Sequence, residues 1–113
     1  MIYRTTKKDF EFFKKECEYW LKRLELSDWQ VYYDHQKLHN CFSRIALSKG
    51  NIATITLSTE LDMLAEKDIK EKIKNTAKHE VLHILLSSFV DTIREAEEKE
   101  EEKLIHKLIK ILK

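Results

Sequence analysis

One glycine, Gly50, and no proline stand among the 113 residues of this chain. Glycine is the residue that reaches left-handed backbone conformations at no steric cost, and proline the one that stiffens turns. Their scarcity excludes phosphate-cradling glycine loops, dinucleotide fingerprints, collagen-like repeats and proline-rich linkers. The length suits a single domain, residues 1–113, with one modest core. Hydrophobic residues make up 42% and charged residues 36%, a balance for a folded globular chain rather than a disordered one. The net charge of +1 argues against a general nucleic-acid binder, which needs a basic excess.

Cys17 and Cys41 form no CxxC pair, so neither a zinc ribbon nor a disulfide scaffold is expected; both read as reduced, mostly buried thiols. The longest apolar stretch, Val81 to Leu86, is interrupted by His83 and is too short for a signal peptide or a membrane span. The expectation is a cytoplasmic protein with no membrane partner.

Hydrophobic spacing divides the chain into elements. Phe10, Phe13, Cys17, Trp20, Leu21 and Leu24 recur at helical intervals, which predicts a helix from about Lys8 to Leu24, with Thr6 or Asp9 as its cap. Ser27-Asp28 marks a turn. Three strands are predicted next: Trp29 to His35, Cys41 to Leu47, and Ile52 to Ser58. Lys49-Gly50-Asn51 offers a tight turn between the last two, which should form a hairpin. Ile69, Ile73, Ala77, Val81 or Leu82, Ile84, Leu85 and Phe89 then predict a second helix. Ser87-Ser88 and Asp91-Thr92 suggest a break near residue 90, with a last helix running to about Leu112. That helix is acidic at its start and basic at its end, which matches the helix dipole. The expected fold class is α+β: an N-terminal helix, an antiparallel sheet of about three strands, and two closing helices packed antiparallel. The aromatic set Phe10, Phe12, Phe13, Tyr19, Trp20 and Trp29 reads as core packing, because the lysines around it alternate with acids and offer no base-stacking surface.

His79-Glu80-Val81-Leu82-His83 is an H-E-x-x-H sequence inside the second predicted helix. Residues four apart share a helical face one turn apart, so two imidazoles can reach one tetrahedral zinc ion, Zn2+. Glu80 can reach a water on the open side of the metal and take its proton as general base. A catalytic zinc site takes a third protein ligand and leaves the fourth position for water. With the chain reversing near residue 90, residue 81 lies level with about residue 100, opposite the acidic stretch Glu97 to Glu102. Leu104, Ile105, Leu108 and Leu112 mark the buried face of the last helix. At about 100° per residue, Glu101 lies near the centre of that stripe, Glu98 about 60° from it, Glu102 about 100° and His106 about 140°. A carboxylate on a buried face needs a partner or a metal. Glu101 is therefore the expected third ligand, with Glu98 and Glu102 as alternatives and His106 facing solvent. Tyr32, Tyr33, His35, Arg44 and Arg94 are candidate oxyanion stabilisers, and spacing alone leaves the placement of His35 and His39 open.

The H-E-V-L-H helix with a downstream glutamate on the following helix resembles a minimal zincin metallopeptidase. Ligation by that glutamate is similar to the gluzincin pattern. Small phage and bacterial metallopeptidases of SprT-like or repressor-cleaving type share the order of helix, short sheet, H-E-x-x-H helix and closing helix. The resemblance covers about residues 50 to 110. The metzincin extension is excluded, because Leu86 and Phe89 occupy the positions of its glycine and third histidine. The resemblance implies a zinc-dependent peptidase, with a peptide or protein substrate paired along the edge of strand 52–58 by strand addition. The alternative is a zinc-stabilised binding module without turnover. Glu80 separates the two, since hydrolysis needs its carboxylate and a structural site tolerates glutamine there.

Overall fold

The computed structural model describes residues 2–62, 68–92, 106 and 108–110. The elements in chain order are β1 (Ile2–Arg4), α1 (Lys7–Arg23), β2 (Gln30–His35), β3 (Ser43–Ser48), β4 (Ile52–Leu57), β5 (Glu60–Asp62) and α2 (Ile69–Thr92). His106 and residues 108–110 are also helical. The α+β class holds; the strand number and the pairing differ from expectation.

Thr6 and Asp9 share the start of α1. The Thr6 hydroxyl accepts from the Asp9 amide at 3.0 Å, and the Asp9 carboxylate accepts from the Thr6 amide at 2.9 Å, a reciprocal capping box. Phe13, Cys17 and Leu21, four residues apart, form its buried stripe. The helix ends without glycine. The Glu25 amide donates to the Lys22 carbonyl and the Leu26 amide to the Leu21 carbonyl, while Glu25 takes φ 56°. This is a Schellman closure whose left-handed position is filled by glutamate. Asn40 and Asn51 also have positive φ, so the scarcity of glycine is met by residues that bear a Cβ.

The principal sheet has the order β2-β4-β3. β3 and β4 form the expected antiparallel hairpin, with Gly50 at φ 84° and Asn51 at φ 59° in its turn. β2, however, runs parallel to β4, from Gln30 beside Ile52 to His35 beside Leu57. The expected all-antiparallel sheet is therefore corrected to a mixed one. A second, two-stranded antiparallel sheet pairs β1 with β5. The cause lies in the apolar content of β4. Ala53, Ile55 and Leu57 are fully buried and Thr56 nearly so, which suits a central strand. β3 carries Arg44, Ser48 and the adjoining Lys49, polar residues that suit an open edge.

α1 and α2 pack together, and β3 also contacts α2. Phe13, Cys17, Leu21, Leu26, Ala53, Ile55, Leu57, Ile73, Ala77, Val81 and Ile84 form the core. Phe10, Phe12, Trp20 and Trp29 pack against it, but Tyr19 is 53% exposed and leaves the expected aromatic core set. Cys17 is buried as expected, whereas Cys41 is exposed, and both are free thiols. α2 passes through Ser87-Ser88 and reaches Thr92, the last described residue before the segment in which the closing helix was expected to begin. The Ser88 hydroxyl back-bonds to the Ile84 carbonyl at 3.4 Å, which accommodates a polar side chain within the helix. No helix among the described residues is long and apolar enough to cross a membrane.

Candidate metal centre

Four fully buried residues, Ile73, Ala77, Val81 and Ile84, anchor α2 at successive spacings of four, four and three. They fix how the helix is rotated. At about 100° per residue, Glu80 lies about 55° from the centre of this stripe, His83 about 115° and His79 about 155°. The observed burial follows that order: Glu80 is 3% exposed, His83 half-buried and His79 exposed. The core thus draws Glu80 inward and leaves both imidazoles at its rim.

The two rings meet edge to face, with centroids 4.8 Å apart and an interplanar angle of 82°. Nε2 of His83 lies 3.2 Å from Nε2 of His79. Two nitrogens at roughly 2.0–2.1 Å from a tetrahedral zinc ion stand about 3.3–3.4 Å apart. The pair therefore fits the bite of one zinc ion, and the same approach permits a hydrogen bond between the rings in the metal-free protein. A carboxylate oxygen of Glu80 and one nitrogen of each histidine all lie within 4.8 Å of one another.

Burial, followed by the neighbouring His79, holds the His83 pKa below the ordinary imidazole range, against the opposing pull of Glu80. A neutral ring with a free lone pair is the form that binds metal. Behind the site, burial pushes the Cys17 thiol up, and the Glu80 carboxylate adds to the rise. Cys17 is thus a neutral thiol packed behind the site. On the other side, the Ser43 hydroxyl donates to Oε2 of Glu80 at 2.6 Å. Ser43 opens β3 and was not among the residues expected at the site. Its signal in the sequence is period-two alternation, which places a hydroxyl at residue 43 on the same face as Ile45.

Among the described residues, the metal-capable cluster takes in no further candidate ligand. Glu101, Glu98 and Glu102 lie outside the described residues, as does Arg94. His106 is helical and exposed. Ile109 lines a cavity of about 380 Å³ together with Asn75, Lys78, His79 and Leu82. A reversal that sets residue 81 level with residue 100 brings Ile109 level with residue 72. It lies instead along residues 75–82, further toward the C-terminal end of α2.

Nε2 of His35 donates to the Thr5 hydroxyl at 2.7 Å, because the proton of that hydroxyl goes to the Ser58 carbonyl at 2.8 Å. Its ring also stacks on Phe10. His39 is exposed in the loop before β3. Tyr32 and Arg44 are exposed. Tyr33 turns its hydroxyl inward, where it lacks a hydrogen-bond partner. Burial, then Cys17, then Glu18 push its phenol up. Strand 52–58 is also displaced from its expected role. Its residues 52–57 form the central strand, paired on both sides, so it has no open edge for a peptide.

Comparisons with protein-family models, curated proteins and solved structures give no match to this chain.

Proposed function

We propose that this chain is a zinc-dependent peptidase in which His79, His83 and Glu101 hold the metal and Glu80 is the general base. The observation that carries the reading is the 3.2 Å approach of the two imidazole nitrogens. Zinc, when bound in such a site, supplies a Lewis acid that polarises a carbonyl and acidifies water. The chain's own residues do the rest. His79 and His83 present ring nitrogens from successive turns of one rigid helix. The Glu80 carboxylate takes the proton of the attacking water and passes it to the departing amine, so the base is restored at the end of each cycle. Its near-complete burial keeps competing water away from that transfer.

The substrate in this reading is an extended peptide. Since β4 is central, the edge that meets the site is that of β3, whose first residue touches Glu80. An added strand would pair with the open backbone groups of β3. This peptidase domain reading is zincin-like in helix and base, with the sheet order reported above.

One observation favours a second reading, a zinc-stabilised binding module without turnover. Among the described residues, Tyr33 holds its hydroxyl in the interior, His35 bonds to Thr5, and Tyr32 and Arg44 are exposed. None of them hydrogen-bonds to His79, Glu80 or His83, the groups beside which an oxyanion would form.

The deciding experiment measures bound zinc per chain and hydrolysis of a fluorogenic peptide library. The proteins are wild type, His79→Ala, Glu101→Ala, Glu98→Ala, Glu102→Ala and Glu80→Gln. The peptidase reading expects about one zinc per chain, lost in His79→Ala and in Glu101→Ala. It expects zinc retained in Glu80→Gln with turnover lowered by at least about 100-fold. Zinc without turnover in wild type selects the binding module. No zinc in wild type after reconstitution ends both.

A further inference from the structure

A carboxylate buried as deeply as Glu80 is costly unless it is hydrogen-bonded. The 2.6 Å bond from Ser43 meets that need from a different element of the fold. Ser43 is held in place by the pairing of its strand, in register with Leu57, which is fully buried. The donor is therefore fixed by the sheet, whereas the acceptor is carried by the helix. A hydroxyl gives one proton, and a carboxylate offers about four acceptor positions. The bond thus fixes one oxygen, Oε2, and leaves lone pairs free on the side toward His79 and His83.

We propose, resting on the peptidase reading above, that Ser43 is a positioning residue for Glu80. Its hydroxyl selects one rotamer of the carboxylate and holds it beside the imidazole pair before any substrate arrives. The base then needs no reordering when the proton moves. The proposal also couples the substrate edge to the site. Ser43 belongs to β3, so a peptide that pairs with β3 acts on the strand that holds the base.

Two measurements test this on wild type, Ser43→Ala and Ser43→Thr. The first uses the metal-free protein and reads the side-chain scalar couplings of Glu80 by isotope-edited NMR. Wild type and Ser43→Thr are expected to show couplings of a single rotamer, and Ser43→Ala averaged ones. The second uses the zinc-loaded protein. Ser43→Ala should lower kcat by about 10- to 100-fold with KM and zinc content unchanged, and Ser43→Thr should recover most of the loss. Should Ser43→Ala fail to fold, Ser43→Cys retains the volume with a weaker donor and is expected to fall between the two.

Single-rotamer couplings in Ser43→Ala overturn the proposal whatever the activity. Averaged couplings with an unchanged kcat overturn it as well, because the bond then serves packing alone. A zinc-loaded wild type that hydrolyses nothing overturns the peptidase reading and removes the reaction that Ser43 would serve. An active wild type matched by Ser43→Ala overturns only the role of Ser43.

Discussion

α1 buries one stripe, Phe13, Cys17 and Leu21, and turns lysines, glutamates and Tyr19 outward. α2 buries Ile73, Ala77, Val81 and Ile84, and between residues 80 and 86 also buries Glu80, Leu82 and Leu86. A helix with one stripe needs one partner, and its rotation can be read from periodicity. A helix apolar on several sides must be covered on several sides, and its polar residues survive only where the cover ends. His79 and His83 occupy that boundary, and Glu80, drawn inside it, has the Ser43 hydroxyl as its partner. The sequence pattern that makes α2 ambiguous as an amphipathic helix is thus the one that puts a chemically capable trio at and just inside the rim of the core.

The strongest way to break the contrast is to remove the anchor of α1. Phe13→Ala should destabilise the protein by about 3–5 kcal/mol in chemical denaturation, because the ring is fully buried. This loss should be independent of zinc. Metal removal acts on the other helix. Chelation should lower stability by roughly 2.7 kcal/mol relative to protein held at free zinc 100 times the dissociation constant. His79→Ala should abolish that difference, and Phe13→Ala should preserve it.

A third test probes the contact between the helices through pH. Cys17 has a raised pKa in the folded state, from an ordinary value of 9.0, so its contribution is fully present below pH 9. Above pH 9 the unfolded chain loses the thiol proton while the folded chain keeps it, and stability falls. About 1.4 kcal/mol should be gone by pH 10, and Cys17→Ala should remove that share of the alkaline slope. The smallest effect sharpens the end of α1. Glu25 is left-handed at φ 56°, a strained position for a residue with a Cβ. Glu25→Gly should raise stability by about 0.5 kcal/mol, after the entropy glycine adds to the unfolded chain.

The elements legible in the sequence are those with a strong local pattern. α1 follows from the spacing of Phe13, Cys17 and Leu21, and the β3–β4 hairpin from Gly50-Asn51 between alternating strands. The H-E-x-x-H spacing likewise anticipates the approach of His79 to His83, since it depends only on helical geometry. What escaped is non-local. The parallel pairing of β2 with β4 depends on which strand most needs burial on both sides, and neighbours along the chain suggest a simple meander instead. β1 and β5 are three residues each, too short for any periodicity. Ser43 escaped because its significance lies in a helix more than thirty residues away, which no local window contains.

The β1–β5 pair has a kinetic consequence. It sets Ile2 beside Asp62 and Arg4 beside Glu60, and Thr5 extends the link through its amide to the Thr59 carbonyl. Closing a loop of that length costs roughly 2 kcal/mol more entropy than closing the short turn of the β3–β4 hairpin. With three residue pairs to offset it, this sheet forms after the hairpin and opens before it. Thr6, the cap of α1, follows immediately, and its reciprocal bonds with Asp9 are local, so the first turn of that helix does not depend on the pairing. Amide exchange at residues 2–5 therefore outruns exchange at residues 53–57, and the earliest unit to detach is the N-terminal strand.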